Sequence, residues 1–263
     1  MELYEDQFND KHDYPHQTDT RKTLIIASTV RSGSHMLGHV LHETGAFGFP
    51  LEYANSKNLQ QWKEKLQEAD TKKCMQAIMR RRTSPNGVFG IKVHYSHLPA
   101  LGGFNALRQL FPNPHFVLLT RHDVMSQAVS LAMAKQTGSW IADQSKGRQP
   151  VYHAEDIDNG LRRILFENSS WKYTLSASGA RYMDLNFDDV KANTANTVLR
   201  IADFMQQDID SARIPRAPVT RKQSNELNQQ WTARFIEQFN GNDELLRYNR
   251  ESPLRRLARK FTK

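Results

Sequence analysis

The sequence predicts an α/β fold: a central parallel β-sheet flanked by helices. Three observations lead there. Short apolar runs alternate with helix-compatible segments along the chain. The runs at 24–27, 88–93 and 116–120 are too continuously apolar for strands wetted on one face, and suit a parallel sheet covered on both. Each run also ends at or just before a basic residue (Arg31, His94 and Arg121), where ligands bind in such sheets.

Taken in order, residues 1–21 form a polar arm expected to be flexible, with Tyr4, Phe8 and Tyr14 available to pack on a neighbouring surface. Strand 24–27 leads into a helix over 34–43, where Met36, Leu37, Val40 and Leu41 make one apolar stripe and Gly45 closes the element. Residues 47–58 read as an irregular loop, and 60–82 as one or two charged amphipathic helices. After strand 88–93 comes a helix over 101–110, ended by Pro112 and Pro114. Strand 116–120 follows, and Asp123 is a good N-cap for an apolar helix over 124–140. Beyond a polar, mobile excursion at 141–151 lies a long helix over 157–176, its face traced by Leu161, Ile164, Leu165, Trp171 and Leu175. Residues 181–186 make a fourth strand, one helix runs from Asp188 to Gln206, 208–228 is a Pro- and Arg-rich loop, and 231–239 is helical. One domain over 22–245 is expected, followed by a basic tail, 246–263.

A chain of 263 residues is long enough to bury one sizeable core. The net charge of +8 points to anionic partners. Cys74 is the only cysteine, which rules out an intramolecular disulfide and a cysteine-based metal site and fits a reducing compartment. The first residues lack the apolar core of a secretory signal, and no stretch reaches the ~18 consecutive apolar residues of a membrane span. A cytoplasmic protein is expected.

The chemistry concentrates in two places. A buried strand feeding a helix through Arg31-Ser-Gly-Ser34 makes an anion cradle, because free backbone N–H groups and the helix dipole converge there. Arg31 adds a forked guanidinium, and Ser32 and Ser34 add hydroxyls. A nucleoside-triphosphate loop would instead end in Gly-Lys-Ser/Thr, so a nucleotide-dependent kinase is disfavoured. The second place is Leu118-Leu-Thr-Arg-His-Asp-Val-Met-Ser-Gln-Ala-Val-Ser-Leu131, where Arg121 and Ser130 can share a phosphate. Two strand-end anion sites in one sheet suit a ligand with two separated phosphates. A polyanion- or nucleic-acid-binding protein would use the same basic edge, but the aromatics interleaved with basic residues that favour it are sparse.

These segments, together with Thr44-Gly-Ala-Phe-Gly-Phe-Pro-Leu-Glu-Tyr53, Gly87-Val-Phe-Gly-Ile-Lys92, Gln136-Thr-Gly-Ser-Trp140 and the stretch 221–234, resemble the PAPS-dependent sulfotransferases, and most closely the bacterial Stf0-type carbohydrate sulfotransferases. The resemblance spans about residues 22–240. It implies a P-loop-like sulfotransferase fold and 3′-phosphoadenosine 5′-phosphosulfate (PAPS) as co-substrate. The 5′-phosphosulfate would lie on Arg31, Ser32, Gly33, Ser34 and His35, and the 3′-phosphate on Arg121 and Ser130. Ser126 is an alternative to Ser130, and Arg221 and Lys222 are further candidates for closing over the nucleotide.

The resemblance also puts a general base at Glu52, whose pKa the aromatic neighbours Phe47, Phe49 and Tyr53 would raise. His94, in Lys92-Val-His94, is the rival base, with Lys92 a stabiliser of the bridging oxygen. His94 and His97 lie three apart in a loop-like segment with no metal-ligand pattern, and no metal is expected. The acceptor would be a carbohydrate or glycolipid hydroxyl, framed by the polar loops 47–58 and 141–151, with Trp140 a candidate to stack on a sugar face. The resemblance further suggests a homodimer. No specific nucleic acid is expected, and the basic tail offers at most a weak peripheral membrane contact.

Overall fold

The computed structural model describes residues 5–140, 149–216 and 226–239. Arg221, Lys222, the core of the 141–151 excursion and the basic tail lie outside the described residues.

Four parallel strands, β1 (Lys22–Ser28), β2 (Val88–His94), β3 (Pro114–Thr120) and β4 (Tyr182–Asn186), form a sheet in the order β2-β1-β3-β4. The central position of β1 follows from its composition, since every residue after Lys22 is buried. Its register sets Ser28 beside His94 on one side and Leu119 on the other, so the C-terminal ends of three strands finish level.

Alternate side chains feed two cores. On one face Ile25, Ala27, Ile91, Val93, Phe116 and Leu118 pack with Phe49, Trp62, Ile78 and Trp171. On the other, Leu24, Ile26, Val117 and Leu119 meet Leu37, Val40, Val198, Ile201 and Met205. The period of two along a strand makes both faces apolar only when both are covered. Helices α1 (Ser34–Glu43), α2 (Ser56–Leu66), α3 (Thr71–Arg82), α4 (Phe104–Leu110) and α5 (Val124–Thr137) precede the long α6 (Ala154–Ala177). α7 (Phe187–Ala192), α8 (Thr194–Met205) and α9 (Glu226–Gln238) complete the described helices. A third apolar cluster joins α5, α6 and α9 through Leu131, Ile157, Ile164, Trp231 and Phe235. No helix among the described residues is long and apolar enough to cross a membrane.

Three expectations need correcting, and the open choice over 60–82 is settled. The 60–82 region is two helices, because Gln67 takes a left-handed conformation and Asp70 caps a new start on Lys73. The helix expected from Asp188 breaks at Asn193, whose side chain caps α8 on Asn196. The helix expected over 101–110 is a 3-10 segment, Tyr95–Leu101, and then α4, separated by Gly102 and Gly103 at positive φ.

The 47–58 loop is not polar, since Phe47, Phe49, Leu51, Tyr53 and Ala54 are all buried. It lies on the free edge of β2, where Leu51 bridges Ile91 and accepts a 2.9 Å hydrogen bond from the Lys92 N–H. Gly90 makes this approach possible, as a Cβ there would sit 2.2 Å from the Phe47 carbonyl oxygen.

The described part of the expected N-terminal arm lies packed. The fully buried Arg82 donates to the carbonyls of Gln7 and Asn9 and pairs with Asp13 at 3.0 Å. Phe8 packs on Trp62, with ring centroids 5.5 Å apart.

Candidate active site

The turn after β1 has the backbone of an anion cradle. Arg31 (φ 63°) and Gly33 (φ 86°) are left-handed, and Gly33 is the N-cap of α1 with no side chain capping the helix. The cap therefore offers the first N–H groups of α1 no side-chain acceptor of its own, and the helix dipole adds to their positive potential. Only glycine fits at position 33: besides the positive φ, a Cβ would lie 2.1 Å from the Phe187 ring.

Several buried polar atoms at this end of the sheet make no hydrogen bond among the described residues: Ser28 Oγ, Ser32 Oγ, His35 Nε2, His94 Nε2 and Arg121 Nε. Buried polar groups are normally paired, and these five lie together at the ends of three neighbouring strands, where a bound ligand would pair them.

The side chain of Arg31 reaches across to α5. Its Nε donates to Ser130 Oγ at 2.9 Å and one terminal nitrogen donates to the Trp140 carbonyl at 2.5 Å. Arg121 donates to the Arg31 carbonyl at 3.4 Å and stands over the Phe187 ring at 5.7 Å. Burial, reinforced by the neighbouring Arg121, lowers the Arg31 pKa to about 10. The two halves expected to be separate thus meet, with Arg31, Arg121 and Ser130 linked by hydrogen bonds. Ser126, the alternative, serves α5 through its N–H, which donates to Asp123 Oδ1.

Beside the cradle, Glu52 Oε1 lies 2.8 Å from Lys92 Nζ, with the lysine side chain 3% and the glutamate 13% exposed. The pairing follows from the loop geometry, since the residue before Glu52 is hydrogen-bonded to Lys92 through the backbone. Asn58 Nδ2 and the Asn55 N–H both donate to the Glu52 carbonyl and fix the turn.

Burial alone would raise the Glu52 carboxyl, as the aromatic surroundings suggested. The Lys92 ammonium, helped by His94 and His97, outweighs it and holds the group well below the usual carboxylate range. The expected upward shift is therefore corrected to a downward one. His94 Nε2 lies 3.7 Å from the same carboxylate oxygen. Burial, only partly offset by Glu52, lowers His94 to about 3, so the ring is neutral at neutral pH. His35, under burial and the Lys92 charge, is lowered to about 2.

His97 was not among the expected site residues. The 3-10 turn folds it back so that its Nδ1 accepts the His94 N–H at 3.2 Å, and the two rings stack at 4.7 Å. One ligand-type atom each from Glu52, His94 and His97 falls within 4.8 Å of the others, correcting the expectation that these histidines have no such geometry. Lys92 already presents a cation to the carboxylate, which disfavours ligation there.

Two other participants escaped the sequence reading. Trp171 was expected in the core and is fully buried, yet its Nε1 donates to the Ser28 carbonyl at 3.0 Å. Gln127, unnoticed inside an apolar helix pattern, donates to Thr29 Oγ1 and to the Val30 carbonyl. Glutamine at helical spacing among alanines and valines gives no local signal of either bond.

The fold is thus an α/β protein whose doubly covered parallel sheet carries a helix N-terminus of cradle shape at its strand ends and a buried carboxylate–ammonium pair beside it. The chain belongs to the Stf0 sulphotransferase family, whose family model matches residues 23–238. The sheet with its flanking helices is the P-loop-like architecture of sulfotransferases.

Trehalose 2-sulfotransferase of Mycobacterium tuberculosis strain Erdman is 27% identical over 254 residues, covering 81% of this chain and 94% of that protein. The trehalose 2-sulfotransferase of Mycolicibacterium smegmatis is 21% identical, over 83% of this chain and 96% of its own length. Among solved structures, a sulfotransferase domain from the curacin biosynthetic pathway matches with a TM-score of 0.47 at 12% identity, over 84% of this chain and 98% of that one. That likeness is too distant to add to the argument.

Proposed function

We propose that this protein moves the sulfuryl group of PAPS to a hydroxyl of a carbohydrate or glycolipid acceptor. The observation that carries the reading is the buried Glu52–Lys92 pair beside an anion cradle. Family membership and the two trehalose 2-sulfotransferase relatives support the reaction and the acceptor class.

The residues fit a donor with two anionic ends. The α1 N-terminus with Ser32, Gly33, Ser34 and His35 suits the 5′-phosphosulfate. Arg121 and Ser130, with the Arg31 guanidinium drawn to Ser130, suit the 3′-phosphate. Arg221 is proposed only as a further basic residue near the nucleotide.

In transfer, the acceptor oxygen–sulfur bond forms as the bond from sulfur to the bridging phosphate oxygen breaks, and the hydroxyl proton goes to the base. Glu52 is the proposed base. Held far below its usual pKa, it accepts a proton poorly while Lys92 stays against it. Movement of the Lys92 ammonium toward the leaving phosphate would stabilise the bridging oxygen and release the carboxylate in one displacement. His94, neutral and 3.7 Å away, is the alternative base. A homodimer and a peripheral lipid contact through the 246–263 tail are proposed alongside, to be checked by sedimentation and by binding to acidic vesicles.

Thermal stabilisation by adenosine 3′,5′-bisphosphate, set against ATP and AMP, tests the donor. A selective shift for the bisphosphate is expected. An equal or larger shift with ATP would overturn the assignment in favour of a kinase. Sulfate transfer from labelled PAPS to a panel of disaccharides, trehalose included, then tests the acceptor class.

A further inference from the structure

Gln127 lies wholly buried on α5, one turn before Ser130. Its Nε2 donates to Thr29 Oγ1 at 2.9 Å and to the Val30 carbonyl at 2.7 Å, so both amide protons go into the turn after β1. The orientation of the amide is fixed by chemistry: the Val30 carbonyl accepts only from a donor, so nitrogen and not oxygen must face it. The remaining atom, Gln127 Oε1, is buried and makes no hydrogen bond among the described residues. A buried amide with an unpaired acceptor costs stability.

What the amide secures is a peptide direction. In a trans peptide the C=O and the following N–H point opposite ways, and no cis bond occurs among the described residues. Drawing the Val30 carbonyl toward α5 therefore turns the Arg31 N–H away from α5. Arg121, donating to the Arg31 carbonyl, turns the Ser32 N–H away from its own guanidinium. Positive φ at Arg31 and Gly33 within one turn is the backbone pattern of a concave N–H donor set that cradles an oxyanion.

We infer that Gln127 is a positioning residue for the 5′ end of the donor, holding the backbone N–H groups of the Arg31–Ser34 turn in line without touching the ligand. The inference rests on the proposed placement of the 5′-phosphosulfate on that turn. It also gives α5 two tasks: Ser130 faces the 3′-phosphate half, and Gln127 shapes the 5′ half.

Adenosine 3′,5′-bisphosphate and adenosine 3′-monophosphate separate the two halves, since the second lacks the 5′ group. Calorimetric titration of wild type, Gln127→Leu and Gln127→Met with both nucleotides is the test. The variants are expected to bind the bisphosphate at least tenfold more weakly while their affinity for the 3′-monophosphate stays within about twofold. The advantage of the bisphosphate over the monophosphate would thus collapse. Gln127→Met keeps the chain length and serves should Gln127→Leu not fold. Equal losses for both nucleotides, or none for either, would overturn the inference. A wild-type protein that binds neither nucleotide overturns the placement of the donor itself, and the inference with it.

Discussion

The anion cradle and the Glu52–Lys92 pocket sit side by side but are built differently. The cradle is local: a strand end, a four-residue turn and a helix start, all within Ser28–Ser34 of one stretch of chain. The pocket is assembled from a loop and a strand forty residues apart, joined by a backbone bond from Lys92 to Leu51. Its donors are backbone N–H groups, so the cradle depends on backbone shape and on the few residues that hold that shape, Gly33 and Gln127 among them. An assembled site depends on two buried charges that are each costly without the other. The two should therefore fail differently, the cradle through donor affinity and the pocket through turnover and stability.

The largest expected effect is Glu52→Gln. At saturating donor kcat should fall by about 10²- to 10⁴-fold, the usual range for losing a general base, with donor affinity nearly unchanged. His94→Ala run in parallel decides the assignment: if Glu52→Gln turns over near normally and His94→Ala does not, the histidine carries the proton.

Lys92→Met comes next. Removing one member of a buried ion pair costs about 3–5 kcal/mol when the other stays charged. Without the ammonium, burial is left to raise the Glu52 carboxyl. A group raised in the folded state contributes stability at low pH that is lost as pH rises through its folded value. The gap in unfolding free energy between wild type and Lys92→Met should therefore widen from pH 5 to pH 8 in urea melts. A gap independent of pH would mean that Lys92 packs there without pairing.

Gly33→Ala probes the cradle by itself. A left-handed alanine costs of order 1–3 kcal/mol, and its Cβ would meet the Phe187 ring. Affinity for adenosine 3′,5′-bisphosphate should drop at least tenfold. Gly33→Ala/Phe187→Leu should recover part of that loss by relieving the contact while the backbone strain stays.

This contrast also explains what was legible in the sequence. The strands announced themselves by apolar continuity, and the Arg31–Ser34 turn by small residues between a strand and a helix. Pairings across the fold were not legible. Loop 47–58 reads as irregular because its apolar residues follow no period, yet Phe47, Phe49 and Leu51 are buried against β2. Its hydrophobicity answers to one strand edge rather than to a helix or sheet repeat. The sign of the Glu52 shift went the same way: its aromatic neighbours are adjacent in sequence, whereas the lysine that overrules them is not. Gln127 acts through two hydrogen bonds to a distant turn and His97 through one to folded-back backbone, which no residue pattern encodes.

The effect that joins the two regions is acid sensitivity. His94 and His97 are lowered to about 3 and about 4, chiefly by burial, against an unfolded value near 6.5. Below about pH 6.5 the unfolded chain takes up protons that the folded one refuses. Stability should then fall by about 1.4 kcal/mol per pH unit for each histidine, down to its folded value. Glu52, depressed in the folded state, contributes stability above its unfolded pKa that is also lost in acid, so the terms add. Unfolding free energy should be flat above pH 7 and steepen below pH 6. Replacing His97 by Asn should remove about one histidine's share of that slope. Bound adenosine 3′,5′-bisphosphate should leave the slope in place if it occupies only the cradle, and flatten it if its charge draws Lys92 away from Glu52. Loss of Lys92 would free the carboxylate to stabilise a protonated His94, lifting the folded pKa toward its unfolded value.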